Sequence, residues 1–253
     1  GTAGFSGDYQ AILNRAVEDA VTLEKAGVDA VIVENMGDTT FSALLDKAQV
    51  AALTAAATKV KEAVKIPVGI DAAFNDCEAS LAIAGIVGAD FIRVPVFVDT
   101  VLFSDGIIYP CARKCMNYRK AMGLEHVKIL ADVQVKHATM LSSQITVEMS
   151  AKDAVGNGAD AIIVTGAVIG AETPIDMLQR VQKVVNVPLL AGSGVDAEKF
   201  EELYIRSESY AFRAREAREE GYRRSVHNYD MVPISEWPEE EVIQAIMDAE
   251  SDI

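Results

Sequence analysis

The sequence predicts an α/β fold of the TIM-barrel-like (β/α)8 kind, on three observations: two strand designs that alternate strictly, helical spacing between them, and strands apolar on both faces. Strands of that kind are parallel and covered by helices. They either close into a barrel or stay open and doubly wound, and the quasi-repetition of the units favours the barrel.

The first design appears at 26–35 (AGVDAVIVEN), 87–95 (VGADFIRVP) and 157–166 (NGADAIIVTG). In each a Gly ends a helix, an Asp follows two residues later, and a β-branched run makes the strand. The second design appears at 66–72 (IPVGIDA), 127–134 (VKILADVQ) and 187–194 (VPLLAGSG). The stretches YQAILNRAVEDAVTLEKAG and KAQVAALTAAATKVKEAVK place apolar residues at helical spacing before and between these strands. Six consecutive βα units result.

A full barrel needs one more strand of the second design before the helix at Ile12 and one of the first design after Val195; neither is visible. GTAGFSG reads as a loop leaving a strand, and the region from Ser209 to Glu250 reads as two charged helices around a Pro- and Trp-containing connection. The expectation is a barrel domain over 1–200, apparently lacking the first and last strands, and a divergent, helical, acidic segment over 201–253. The strands at 28–34 and 187–191 would then be sheet edges, which invite association. Phe200, Leu203, Tyr204, Val242, Ile246 and Met247 recur at helical spacing and are expected to cover the gap or to mediate a homo-oligomer.

Composition bounds the partners. The 253 residues carry 23 Lys and Arg against 38 Asp and Glu, a net charge of −15. That charge repels nucleic acid and bare anionic membrane. No signal peptide and no transmembrane segment are visible, and Cys77, Cys111 and Cys115 cannot all pair, so a reducing, cytoplasmic setting is expected. Cys111 and Cys115 lie four apart on an expected helix with no third cysteine near in sequence, and read as packing residues.

Strand parity supplies the candidate site. Val33, Val94 and Val164 must meet the helices, so Glu34, Arg93, Asp71, Asp132 and Thr165 point inward near the carboxyl ends of strands, where barrel enzymes build their sites. The three carboxylates and one Arg suit three readings: a divalent-cation site, a general acid/base pair, or a structural ion-pair network. In ILADVQVKHA the even positions Asp132, Gln134 and Lys136 continue the polar face. Lys136 and His137 read either as a Schiff-base or electrostatic lysine with a proton carrier or as exposed loop residues. Thr165–Gly166 and Gly192–Ser193–Gly194 end later strands and are candidate substrate- or phosphate-binding positions, since a glycine-rich turn before a helix offers N–H groups to an anion. Asp29, Asp90 and Asp160 fall at the opposite, amino-terminal strand ends, which serve stability.

In this order, VIVENMGD, VGIDAAFND, ADFIRVPVF, SDGII, ILADVQVKHA, ADAIIVTGA and VPLLAGSGV resemble the BtpA/SgcQ family over about residues 1–200. The resemblance implies a ribulose-phosphate-binding-type barrel. The namesake members are membrane-peripheral factors of photosystem I biogenesis, whereas others lie in sugar-transport and metabolic operons. Four features depart from the family pattern: Gly1–Thr2 match only the tail of the usual opening M-I-H-L-x-P-L-P-G strand, Pro95 stands where an amide side chain is usual, Asp71 stands where Asn is common, and no terminal A-D-x-x-I-V-G-T follows.

Two functions are therefore expected. The first is an enzyme acting on a small phosphorylated, sugar-derived metabolite by acid/base or metal-assisted chemistry. Asp132 or Asp71 would be its base, Glu34 the partner acid, Arg93 and Lys136 the electrostatic clamp and His137 a proton carrier; Glu34, Asp71 and Asp132 would hold a divalent cation such as magnesium. The second is a non-catalytic assembly or stability factor of the photosystem I biogenesis type, with peripheral membrane association implied by the resemblance alone.

Overall fold

A computed structural model describes residues 5, 7–38, 41–166 and 174–192. Its elements run α1 (Tyr9–Ala26), β1 (Val31–Glu34), α2 (Lys47–Ala63), β2 (Val68–Asp71), α3 (Cys77–Val87), β3 (Phe91–Val94), β4 (Val101–Phe103), β5 (Gly106–Ile108), α4 (Ala112–Ala121), β6 (Lys128–Val133), β7 (Thr139–Met140), α5 (Val147–Gly156), β8 (Ala161–Thr165), α6 (Ile175–Gln182) and β9 (Leu189–Gly192).

The six expected strands form one sheet in the order β1-β2-β3-β6-β8-β9, every neighbouring pair parallel. A doubly wound sheet reverses its strand order at a switch point. Here each strand pairs with the next one of the sheet in the chain, which is the winding of a barrel wall, so the fold is a TIM-barrel-like (β/α) architecture. Among the described residues β1 and β9 are the two ends of that wall. The segment 201–253, with the apolar positions expected to cover the ends, lies outside the described residues.

Local chemistry explains where the elements begin and end. Asp8, Asp46, Asp76 and Thr146 cap α1, α2, α3 and α5 by accepting first-turn N–H groups, and Asp46 with Gln49 completes a capping box. Gly27 and Gly88 end α1 and α3 in the left-handed conformation, at φ 86° and 70°. The Asp of the first design then ties its strand to the preceding one. Asp90 Oδ2 accepts from Val68 N at 2.9 Å, and Asp160 Oδ2 accepts from Ile129 N at 2.9 Å. Lys61 pairs with Asp90, and Arg119 and Lys128 pair with Asp160. The amino-terminal rim is a set of register clamps.

Inside the wall one position is fixed by space. A Cβ on Gly69 would lie 2.1 Å from the Phe91 ring, so the ring fills the volume that the glycine leaves. Burial of Ile70, Ile92, Ile129, Ile162 and Leu190, with Ala57, Leu81 and Ala151 from the helices, makes the main core.

Two features were not expected. The segment after β3 folds into β4 and β5, which join β7 as an antiparallel three-stranded sheet, order β5-β4-β7. Its Val101 and Ile108 pack with Phe74, Val96 and Val135 in a second, smaller core. Cys111 also precedes α4 rather than lying inside it, its Sγ donating to Val96 O, and Cys77 adjoins Cys111 and Cys115, so the third cysteine that is absent nearby in sequence arrives through the fold. The neighbouring Cys111 and Cys115 thiols hold the Cys77 thiol down at about 4, against burial, and all three cysteines are buried.

Candidate active site

The strand ends bring Glu34, Asp71, Arg93 and Asp132 together. Glu34 and Asp71 are register partners in the β1–β2 ladder, and Arg93 and Asp132 follow on β3 and β6. Arg93 Nε donates to Asp132 Oδ1 at 2.9 Å and its Nη2 to Asp132 Oδ2 at 2.8 Å; Nη1 reaches Asp71 Oδ2 at 3.3 Å and Glu34 Oε2 at 3.8 Å. The guanidinium thus touches all three carboxylates at the point where a shared cation would sit. Among the described residues no group of three or more His, Cys, Asp or Glu side chains is disposed to hold a metal ion.

Burial and charge divide the carboxylates. Burial would lower the Arg93 pKa, but the carboxylates of Asp132, Asp71 and Glu34, Asp132 foremost, more than offset it and hold the guanidinium well above its ordinary value. Burial, then the neighbouring Glu34, pushes Asp71 well above the ordinary range. Burial also raises Glu34, though Arg93 and Lys136 pull it back. Asp71 is 1% exposed and its Oδ1 has no hydrogen-bond partner within the described chain. A buried polar atom left so costs about 1–3 kcal/mol unless something satisfies it.

Lys136 reaches the cluster by a turn rather than along the strand. The alternation expected for ILADVQVKHA holds through Asp132; β6 then ends at Val133, and Gln134 leaves the inner face. Gln134 and His137 adopt left-handed backbones, φ 51° and 64°, a conformation costing about 1–2 kcal/mol for an L residue. Asp99 supports the turn: its Oδ2 accepts from Gln134 N at 2.8 Å, and its Oδ1 accepts from Ser150 Oγ at 2.6 Å. Gln134 Nε2 donates to Ile145 O, and Lys136 N donates to Thr165 Oγ1 at 3.2 Å. Lys136 is therefore buried, 4% exposed, and burial together with Arg93 lowers its pKa to about 8. His137 is exposed, and partial desolvation of its ring, then the Lys136 and Arg93 cations, lower its pKa.

Glu34, Asp71, Arg93, Lys136 and His137 line one cavity of about 340 Å³. Pro95, the residue that departs from the family pattern, lines it too. Asp132 stands behind Arg93, outside the lining. Thr165 is not in the lining either; it holds the Lys136 backbone and is the register partner of Gly192. Gly166 is buried just past β8, and Ser193 and Gly194 lie outside the described residues.

Sequence reasoning missed the residues that tie one loop to the next. Asn35, after β1, accepts from Ala73 N at 2.8 Å and donates to Ala73 O at 3.0 Å; Asn75, after β2, does the same to Val96, at 2.8 and 3.0 Å. Each amide mimics a strand partner and extends the ladder into the loops. The quoted ENMGD and FND motifs carried both residues. Phe41, Phe74 and Phe103, also in the lining, were missed because Phe41 and Phe74 lie in loops and Phe103 ends β4, a strand outside the two repeated designs.

A family model described as the BtpA family matches residues 1–211. An uncharacterised protein of Pyrococcus abyssi is 41% identical over 197 residues, 78% of this chain and 74% of that protein. The photosystem I biogenesis protein BtpA of Synechocystis is 35% identical over 205 residues, covering 80% of this chain and 71% of its own. Among solved structures, the N-acetylmannosamine-6-phosphate 2-epimerase of Clostridium perfringens superposes with a TM-score of 0.50 at 12% identity, over 81% of this chain and 78% of that one, a likeness of fold.

Proposed function

We propose that this chain, which belongs to the BtpA family, is an enzyme that moves a proton on a small phosphorylated, sugar-derived metabolite bound in the cavity beneath the β4–β5 hairpin. One observation carries the reading. Asp71 presents a buried, unpartnered oxygen from a carboxyl whose surroundings favour its protonated form, and it lines the same cavity as a lysine whose pKa is about 8. Two groups with pKa values displaced toward neutrality from opposite sides suit acid and base roles near pH 7.

In this reading Asp71 gives a proton to a substrate oxygen, and the neutral fraction of Lys136 takes one from carbon. Glu34 exchanges protons with Asp71 across the ladder, and exposed His137 passes them to solvent. Arg93, fixed by Asp132, stabilises the negative charge that develops. Thr165, Gly166 and Gly192 adjoin at the ends of β8 and β9, which supports a phosphate held there together with Ser193 and Gly194. The Arg93 contacts support the acid/base reading over the divalent-cation one, since a magnesium ion would have to displace the guanidinium.

A second reading rests on the Synechocystis relative, whose name ties it to photosystem I biogenesis. This chain would then be an assembly or stability factor. A thermal-shift panel of sugar phosphates, with and without magnesium, separates the two, because a ligand that binds the native state raises its melting temperature. The enzyme reading predicts a shift with at least one sugar phosphate that does not need magnesium. No shift from any of them contradicts it.

A further inference from the structure

The cavity lining has two unlike parts. Glu34, Asp71, Arg93 and Lys136 make a charged part, and Phe41, Phe74 and Phe103 an aromatic part. Phe74 and Phe103 stack nearly parallel, 6° between their planes and 4.1 Å between their centroids. Neither ring is loosely placed. Phe74 follows β2, where its N–H donates to Ser42 O and Asn75 is pinned to Val96; Phe103 ends β4, paired with Gly106, and Asp105 beside it accepts from Ala43 N. The 41–43 segment is thus bonded to both supports of the aromatic part.

A bare sugar phosphate suits the charged part alone. Beside the phenyl rings the lining offers the Ser104 hydroxyl, too little to partner the several hydroxyls of a sugar, and each hydroxyl buried without a partner costs about 1–3 kcal/mol. A cavity of about 340 Å³ also exceeds what a five-carbon sugar needs and suits a sugar bearing one ring system. A flat, weakly hydrated ring lies on a phenyl face with good dispersion and quadrupole contact.

We propose that the substrate joins a flat heteroaromatic ring to a phosphorylated sugar, as a nucleoside 5′-phosphate does, with the ring on Phe41, Phe74 and Phe103 and the sugar at Asp71, Arg93 and Lys136. This rests on the reading above that the cavity is the active site.

The test is calorimetric titration of the full chain with ribose 5-phosphate, adenosine 5′-monophosphate and uridine 5′-monophosphate. At least one nucleotide should bind roughly tenfold or more tighter than ribose 5-phosphate, the factor that about 1.4 kcal/mol of stacking supplies. Phe103→Leu and Phe74→Leu keep an apolar side chain while removing the flat face. Each should erase the nucleotide advantage and leave ribose 5-phosphate affinity unchanged, with melting temperatures reported alongside. Binding of ribose 5-phosphate as tight as both nucleotides, or a nucleotide advantage that survives both substitutions, overturns the ring site and leaves the sugar-phosphate reading standing. Binding of none of the three overturns the ring site and counts against the parent reading as well.

Discussion

Arg93 and Asp132 meet in a two-point ion pair, 2.9 and 2.8 Å, with the arginine 4% exposed and the aspartate side chain fully buried. Asp71 takes the more distant Nη1 of the same guanidinium at 3.3 Å and keeps one oxygen unbonded. The two aspartates are chemically alike and differently placed: Asp132 fixes the arginine, and Asp71 lines the cavity with one oxygen unbonded, which the proposed reading makes the proton donor.

Asp132→Asn should therefore destabilise the fold by about 3–5 kcal/mol, because it leaves a buried guanidinium without its main counter-charge. Asp71→Asn should change stability by less than about 1 kcal/mol near neutral pH, since the amide resembles a protonated carboxyl in shape. Urea denaturation of the two variants side by side measures the difference.

The pH dependence of the Asp71 variant follows from the sign of its shift. A carboxyl whose folded pKa lies above its unfolded value stabilises the protein fully below the unfolded value, near 3.8, and loses that contribution as pH rises through the raised folded pKa. Wild type should accordingly be most stable relative to Asp71→Asn in acid and lose ground as pH rises. Denaturation of both proteins between pH 4 and 8 measures the trend; a difference constant with pH would mean that Asp71 titrates alike in both states.

Lys136 should stand out among the lysines. With a pKa of about 8, a large share of it is neutral at pH 8, where an ordinary lysine near 10.5 is almost wholly charged. Brief treatment with a small amine-acylating reagent at pH 8, followed by peptide mass spectrometry, should find Lys136 modified ahead of exposed Lys128. Asp99→Ala removes the acceptor that holds the Gln134 turn and should abolish this preference, whereas a purely structural Asp99 would leave it intact.

Gly69→Ala should cost about 1–3 kcal/mol through overpacking against the Phe91 ring. Gly69→Ala combined with Phe91→Leu should recover part of that loss, because the branched side chain vacates the ring plane. Melting temperatures of the single and double variants check it.

Much of this was legible in the chain. Period-two parity placed Glu34, Asp71, Arg93 and Asp132 on one inner face because a buried parallel strand leaves each side chain only two directions. The Gly-x-Asp spacing marked helix ends and the stabilising rim for the same local reason. Parity failed at Gln134, where the chain turns into a left-handed backbone and Lys136 enters the site by a bend that Asp99, thirty-five residues away, sustains. Asn35, Asn75 and Phe74 were hidden because their work is in loop-to-loop contacts, which no local period encodes, and Phe103 because it ends β4, a strand outside the repeated designs. The thiol cluster was hidden likewise, since Cys77 joins Cys111 only once α3 and α4 pack.

Proton transfer by Asp71 and Lys136 is read most plainly from hydrogen–deuterium exchange into substrate. The full chain, incubated in deuterium oxide with each sugar phosphate or nucleotide that shifts its melting temperature, is followed by proton NMR for loss of a carbon-bound proton signal. Exchange is expected at one carbon with the wild-type chain and its loss in Asp71→Asn and in Lys136→Met, with thermal shifts retained by Asp71→Asn. Exchange that persists in both variants, or ligands that bind the wild type and exchange no proton, would contradict proton transfer by this pair.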